Sequence, residues 1–173
     1  ELLGGLGVPF SVIPSKICES KIASDDPGRL VEELARHKAE AVAAELPSSQ
    51  ESLVIGADTI VVLGGEIFGK PKDEADAVRM LAALSGREHT VYTGVAVLSP
   101  KGEQVFSQGT QVRFLPLSQQ EIEAYVATGE PMDKAGGYGI QGKGALLIEG
   151  IVGDFYNVMG LPVCRLGQAL SSL

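Results

Sequence analysis

The stretch SLVIGADTIVVL, residues 52–63, constrains the fold more than any other part of the chain. It is β-rich and nearly all apolar, which suits a strand covered on both faces. A strand of that kind needs helices packed on its sheet. Asp58 interrupts the run with a carboxylate. Buried without donors, a cation or a metal, such a group is very unfavourable. Asp58 is therefore either an aspartate capping nearby backbone amides or a functional group. The Gly56-Ala57 pair before it points to a strand end, where ligand clefts of α/β sheets lie.

The flanking pattern agrees with an α/β protein. Pro27-Gly28 marks a turn, and a helix is expected from Arg29 to Leu46, ending before Pro47. Gly64-Gly65 turns the chain back through EIF. Asp73 is placed to N-cap a helix with Ala77, Met80, Leu81 and Leu84 on its apolar face, ending at Gly86. Strands are expected over His89–Leu98 and Glu103–Leu117, joined by a turn at Ser99–Gly102. Ser118 with Glu121 forms a capping box for a helix ending at Gly129. Ala145–Ile148 reads as a short strand and Leu161–Leu170 as a terminal helix. Hairpins and helical crossovers together predict a mixed, twisted sheet with flanking helices. The 173 residues fit one domain, and no linker or repeat divides them.

Charge and cysteine content narrow the function. A net charge of −8 argues against a nucleic-acid polymer as partner, but a local group of lysines still suits a small anion. No apolar run reaches the roughly 18 residues of a membrane span, and the first residues lack the basic lead of a signal peptide. Cys18 and Cys164 are too few for a disulfide framework or a zinc site, so a reducing, cytoplasmic setting is the default.

Three further places break the local pattern. Lys38 falls on the apolar stripe of Leu30, Leu34, Val42 and Leu46. An ammonium there must snorkel, pair, or line a cleft. Lys70 ends GGEIFGK, which matches the first seven positions of a P-loop. The next residue is Pro71, which has neither the hydroxyl nor the N–H a P-loop needs there, and the preceding stretch reads as a hairpin. Lys70 remains a candidate phosphate contact on a rigid Gly-Lys-Pro turn. Finally, DKAGGYGIQGKGA, residues 133–145, displays Asp133, Lys134, Gln141 and Lys143 on glycine-rich backbone. Each glycine costs about 1 kcal/mol relative to alanine in a helix. The stretch is either a solvated loop or one whose free N–H groups form an anion-binding concavity. His37 and His89 pair with no nucleophile, so positioning and charge neutralisation at a polyphosphate fit better than covalent catalysis.

The blocks VPFSVIPSKICE, ARHKAEAVA, VIGADTIVV, FGKP, LSGREHTVYTGVAV, GEPMDKAGGYGIQGKGA and GDFYNVMGLPV occur in that order along nearly the whole chain. Together they resemble the Maf family of nucleotide pyrophosphatases, the septum-formation-inhibitor family. The SGREH and GEPMDKAGGYGIQ wording is most like animal members. The resemblance implies a Maf/ITPase-like fold with a central nucleotide-binding cleft. It also implies hydrolysis of a nucleoside triphosphate to the monophosphate and pyrophosphate, by water attacking the α-phosphorus with a divalent metal, magnesium or manganese. On that basis Asp58 matches the proton acceptor, and Glu19, Lys38 and Lys70 match the other cleft charges. Glu19 and Asp58 are the expected metal ligands, and Asp133 and Lys134 expected substrate contacts. Thr59 and Gln141 match positions linked to base choice, in settings that resemble the subfamily acting on dTTP and UTP, not the one acting on 7-methyl-GTP. Family members begin with a strand and a Ser-x-Ser-Pro-Arg-Arg turn, whereas this sequence starts at ELLGGLGVPF, just after that point. The expectation is a form lacking the first strand and its triphosphate-binding arginines, with a catalytically impaired nucleotide-binding or regulatory module as the alternative to an enzyme. The oligomeric state stays open, a homodimer included.

Overall fold

The computed structural model describes residues 2–19, 22–47 and 52–173. In chain order the elements are helices α1 (Leu2–Gly5) and α2 (Pro27–Glu45), strands β1 (Val54–Leu63) and β2 (Glu66–Phe68), and helix α3 (Glu74–Leu84). Strands β3 (Glu88–Ser99) and β4 (Gly102–Phe114), helix α4 (Gln119–Val126), strand β5 (Ile148–Val152), and helices α5 (Phe155–Met159) and α6 (Val163–Ser171) follow. The five strands form one sheet in the order β2-β1-β3-β4-β5. The expected α/β class with flanking helices is borne out, but the sheet is antiparallel and not mixed.

Local chemistry sets most of the boundaries. Asp73 accepts a hydrogen bond from Asp76 N at 2.7 Å and starts α3. Ser118 and Glu121 close the capping box of α4. Helix α2 begins two residues before the expected Arg29. Asp26 Oδ1 accepts from Gly28 N at 2.8 Å and Arg29 N at 3.2 Å, and Pro27 fills the first helical position, where its missing N–H costs nothing. Gly64 and Gly65 have φ of 57° and 87°, the left-handed pair that a tight hairpin needs. Leu63 pairs antiparallel with Glu66 across that turn, so the P-loop-like stretch is a hairpin and the rejection of a P-loop holds.

Two strand expectations need correction: β4 stops at Phe114 and not at Leu117. Ala145–Leu147 are not strand but the end of a 3-10 segment, Gly142–Leu147, and the strand starts at Ile148. Helix α5 was not foreseen. It is only five residues long, with no apolar periodicity to reveal it. Its fully buried Asn157 donates to Val91 O at 3.1 Å and Thr110 Oγ1 at 2.9 Å.

By their internal contacts the residues divide into two compact units, Glu1–Asp58 with Thr93–Gln108 and Gly160–Leu173, and Thr59–Tyr92 with Gly109–Met159. The division falls inside β1, β3 and β4, so no linker accompanies it. In the first unit Val95, Val97, Phe106, Leu161 and Leu166 form one core, and Ala35, Ala39 and Ala96 a second cluster. The core of the second unit joins Val61, Phe68, Leu81, Leu84, Phe114 and Ile122.

His89 lies within this second core at 2% exposure. Its Nε2 shares a hydrogen bond of 2.6 Å with Tyr138 Oη, and its ring meets those of Phe114 and Tyr138 edge-on at 5.2 and 5.4 Å. Burial pushes its pKa down from 6.5 to about 4. The imidazole is neutral in the folded protein, so its contribution is complete above pH ~6.5. Between there and pH ~4 only the unfolded chain takes up the proton. Stability should therefore fall by up to about 3 kcal/mol on acidification through that window. Denaturant melts of the wild type and His89→Gln at about pH 7 and about pH 4.5 check this. The expected result is a shallower pH dependence for the variant, and parallel curves would contradict it.

Candidate active site

The position of Lys38 follows from two glycines. A Cβ at Gly56 in β1 would stand 2.2 Å from Ala35 O and 2.9 Å from Ala39 N. One at Gly94 in β3 would stand 2.1 Å from Val31 O. Only glycine allows the backbone of α2 to lie this close to both strands. Lys38, three residues beyond Ala35, is thereby set against Asp58, two residues beyond Gly56.

The Lys38 ammonium donates to Asp58 Oδ1 and also pairs with Glu19 Oε1 at 2.8 Å. Side-chain exposure is 22% for Lys38, 12% for Asp58 and 56% for Glu19. Burial alone would lower the Lys38 pKa, but the hydrogen bonds to Asp58 and Glu19 outweigh it and hold the group above its ordinary value. The ammonium stays charged. Its head is paired with two carboxylates, so ion pairing accounts for a lysine on the stripe. A cavity of about 370 Å3 opens beside it, bordered by Ser11, Ser15, Val42, Leu53 and Gly56. That volume is at the small end of ligand pockets.

Asp58 departs from expectation in one respect. It is the fifth residue of the ten-residue β1, not a strand end. The Gly56-Ala57 pair that suggested an end serves the close approach of α2 instead. Thr59 follows Asp58 in the same strand and is half-buried.

The second unit gathers another set. Lys70 is exposed in the loop after β2, and Gly136 N donates to Gly69 O at 3.0 Å, which ties the Gly-Lys-Pro turn to the glycine-rich segment. Lys134 Nζ contacts Asp133 Oδ1 at 2.8 Å and Glu130 O at 3.2 Å. The Asp133 carboxyl is held below its usual range, first by Lys134 and further by the charge of Lys70. Gln141 is exposed on the same segment. The sequence candidates thus separate into Glu19, Lys38 and Asp58 in one unit, and Thr59, Lys70, Asp133, Lys134 and Gln141 in the other.

The glycine-rich segment is neither an unstructured loop nor an open cradle. It runs through 3-10 turns at Glu130–Asp133, Ala135–Gly137 and Gly142–Leu147. Two of its N–H groups are taken by the protein's own Glu130 carboxylate, Lys143 N at 3.1 Å and Gly144 N at 3.0 Å. Tyr125 Oη donates to Glu130 Oε1 at 2.9 Å and accepts from Gly139 N at 3.1 Å. Burial works against the Glu130 anion, yet these hydrogen bonds, led by Gly144 N, keep its pKa below the usual value. The glycines serve this internal fit. A Cβ at Gly144 would stand 1.9 Å from Gly139 O, and Gly142 has φ of 66°. Sequence reasoning passed over Glu130 and Tyr125. The available signal was a carboxylate just ahead of a run of glycine N–H groups.

Among the described residues no three His, Cys, Asp or Glu side chains gather as a metal site. Glu19 and Asp58 lie together beside the Lys38 ammonium, which meets Glu19 Oε1 and Asp58 Oδ1. Two carboxylates fit magnesium or manganese, which commonly take one or two carboxylates and complete their shell with substrate phosphate and water.

Comparison with known proteins adds the following. A family model described as Maf-like protein matches residues 1–173. A dTTP/UTP pyrophosphatase of Moorella thermoacetica is 56% identical over 173 residues, covering 99% of this chain and 88% of the relative. A dTTP/UTP pyrophosphatase of Symbiobacterium thermophilum is 52% identical over 171 residues, covering 99% and 87%. One from Bacillus cytotoxicus is 49% identical over 170 residues, covering 98% and 87%.

Proposed function

Because the chain belongs to the Maf-like protein family, we propose that it is a nucleoside triphosphate pyrophosphatase, converting dTTP or UTP to the monophosphate and pyrophosphate. The observation that carries the reading at residue level is the ion cluster of Lys38 with Asp58 and Glu19. A lysine placed on an apolar stripe and held there by two carboxylates has a charge role, not a packing one.

In the reaction, a water oxygen bonds to the α-phosphorus and the bond from that phosphorus to the α–β bridging oxygen breaks. Asp58 accepts the proton that the water loses, and pyrophosphate leaves with the bridging electron pair. Lys38 orients the Asp58 carboxylate through its hydrogen bond and offers positive charge where phosphate charge develops. Lys70 supplies a second cation for the phosphates, and Asp133 and Lys134 shape the turn beside it. Glu19 and Asp58 would hold the divalent metal, which supplies Lewis-acid polarisation of phosphate oxygens when bound. Thr59 and Gln141 select the base. Gln141 has a donor and an acceptor for a pyrimidine edge, and sites built on such bonds reject bases that leave them unpaired.

No helix of the described residues is long and apolar enough to cross a membrane. A small nucleotide, and not a nucleic-acid polymer, is the proposed partner, and the cytoplasm is the proposed setting.

The test is kcat/KM across the nucleoside triphosphates, with pyrophosphate as the measured product and magnesium or manganese present. Preference for dTTP and UTP over purine triphosphates is expected. Gln141→Ala should weaken that preference by about tenfold and Lys143→Ala by less, as a lost base hydrogen bond implies. A preference for 7-methyl-GTP, or a Gln141→Ala protein with an unchanged ranking, would overturn the base assignment.

A further inference from the structure

We propose that Glu130 and Tyr125 are positioning residues for base selection, acting by holding the segment 139–144 that carries Gln141 in one conformation; this rests on the pyrophosphatase reading above. Four hydrogen bonds converge on the pair. Glu130 Oε2 accepts from Lys143 N at 3.1 Å, while Oε1 accepts from Gly144 N at 3.0 Å and Tyr125 Oη at 2.9 Å. Tyr125 Oη in turn accepts from Gly139 N at 3.1 Å. The pair therefore grips the segment on both sides of Gln141, at residue 139 before it and at residues 143 and 144 after it.

The grip matters because of what the segment is made of. Gly139, Gly142 and Gly144 lie within six residues, and glycine loses more backbone entropy on ordering than any other residue. Without the grip such a segment has many conformations open to it, and Gln141, itself exposed, has no packed side chain of its own to hold it. Tyr125 is anchored independently, 5% exposed in the core of the second unit on helix α4. Glu130 opens the 3-10 turn Glu130–Asp133, whose Pro131 is buried. The clamp thus stands on ordered structure on both sides of the glycine-rich segment it holds. A base contact made by Gln141 gains selectivity only if its donor and acceptor are fixed before the nucleotide arrives, because otherwise the ordering is paid out of the binding energy.

The variants differ in what they remove. Tyr125→Phe deletes one donor and one acceptor. Glu130→Gln keeps a carbonyl oxygen for Gly144 N and Tyr125 Oη but presents a donor, not an acceptor, to Lys143 N. Glu130→Ala removes every acceptor. Two readouts are needed. Hydrogen exchange of the amides of residues 139–144 reports the grip directly, without activity. Steady-state kinetics on dTTP, UTP and the purine triphosphates report its consequence.

Expected are faster exchange confined to that segment, a rise in KM for dTTP and UTP of about tenfold, and a smaller change in kcat, graded so that Glu130→Gln retains more discrimination than Glu130→Ala. A purely structural role would lower the melting temperature without narrowing the gap between pyrimidine and purine substrates. A wild type that discriminates while the folded variants keep its ranking and KM overturns this inference alone, whatever the exchange result. A wild type that does not discriminate among nucleotides overturns the base assignment and this inference with it.

Discussion

Asp58→Asn is expected to lower kcat for dTTP by about a thousandfold, within the 10²–10⁴ range of general-base catalysis, in a protein that remains folded. Asparagine matches the shape of aspartate and its carbonyl oxygen still accepts from Lys38, but it cannot take a proton from water. The ammonium does not become an uncompensated charge, because Glu19 Oε1 remains 2.8 Å from it. The melting temperature should therefore move by only a few degrees, the scale of about 1 kcal/mol. KM should change less than kcat, since the lost interaction belongs to the transition state. A folded Asp58→Asn protein with near wild-type turnover would remove Asp58 from the proposed role.

Lys38→Met should be nearly as damaging, and for two separable reasons. From the sequence alone, methionine on an apolar stripe would be expected to pack at least as well as lysine. The structure changes that expectation. Asp58, only 12% exposed, would lose the Lys38 cation from a poorly solvated position. Removing one partner of a fully buried pair costs roughly 3–5 kcal/mol and of an exposed pair about 1 or less. This half-buried case should fall between them, at about 2 kcal/mol. Turnover should fall by at least about a hundredfold, the scale of a lost charge-stabilising donor. Combining Lys38→Met with Asp58→Asn separates the two effects. The double variant should regain most of the lost stability and none of the activity. A fully active Lys38→Met protein, or a double variant less stable than Lys38→Met, would contradict the account.

The parts of the fold that were legible in the sequence are those fixed by neighbours in the chain. Asp73 and the Ser118–Glu121 box announce their helices because a cap and the N–H it accepts lie three residues apart. The Gly64-Gly65 turn announces its hairpin for the same reason, and that disposes of the P-loop. Helix α2 was misplaced by two residues because Pro27-Gly28 has the composition of a turn, while Asp26 converts it into a helix start.

The site was legible where a residue contradicts its own element. Lys38 on an apolar stripe and Asp58 in an apolar strand both stood out, and they are joined across 20 residues of sequence. Their pairing was not legible, because it depends on Gly56 and Gly94 admitting the helix backbone, and glycine in a strand has several other meanings. The contact of His89 with Tyr138 spans 49 residues and leaves no local trace. Glu130 was missed for a different reason. A carboxylate near glycines in sequence gives no sign of which N–H groups it will face, and the segment looked like a site for a foreign anion when part of it already holds the protein's own.

The central claim is that water attacks the α-phosphorus and pyrophosphate leaves. Hydrolysis of dTTP in ¹⁸O-labelled water, followed by mass spectrometry of both products, tests it most directly. The account predicts one ¹⁸O in thymidine monophosphate and none in pyrophosphate, with the signal lost in Asp58→Asn. Label in pyrophosphate, or thymidine diphosphate with inorganic phosphate as the products, would contradict it.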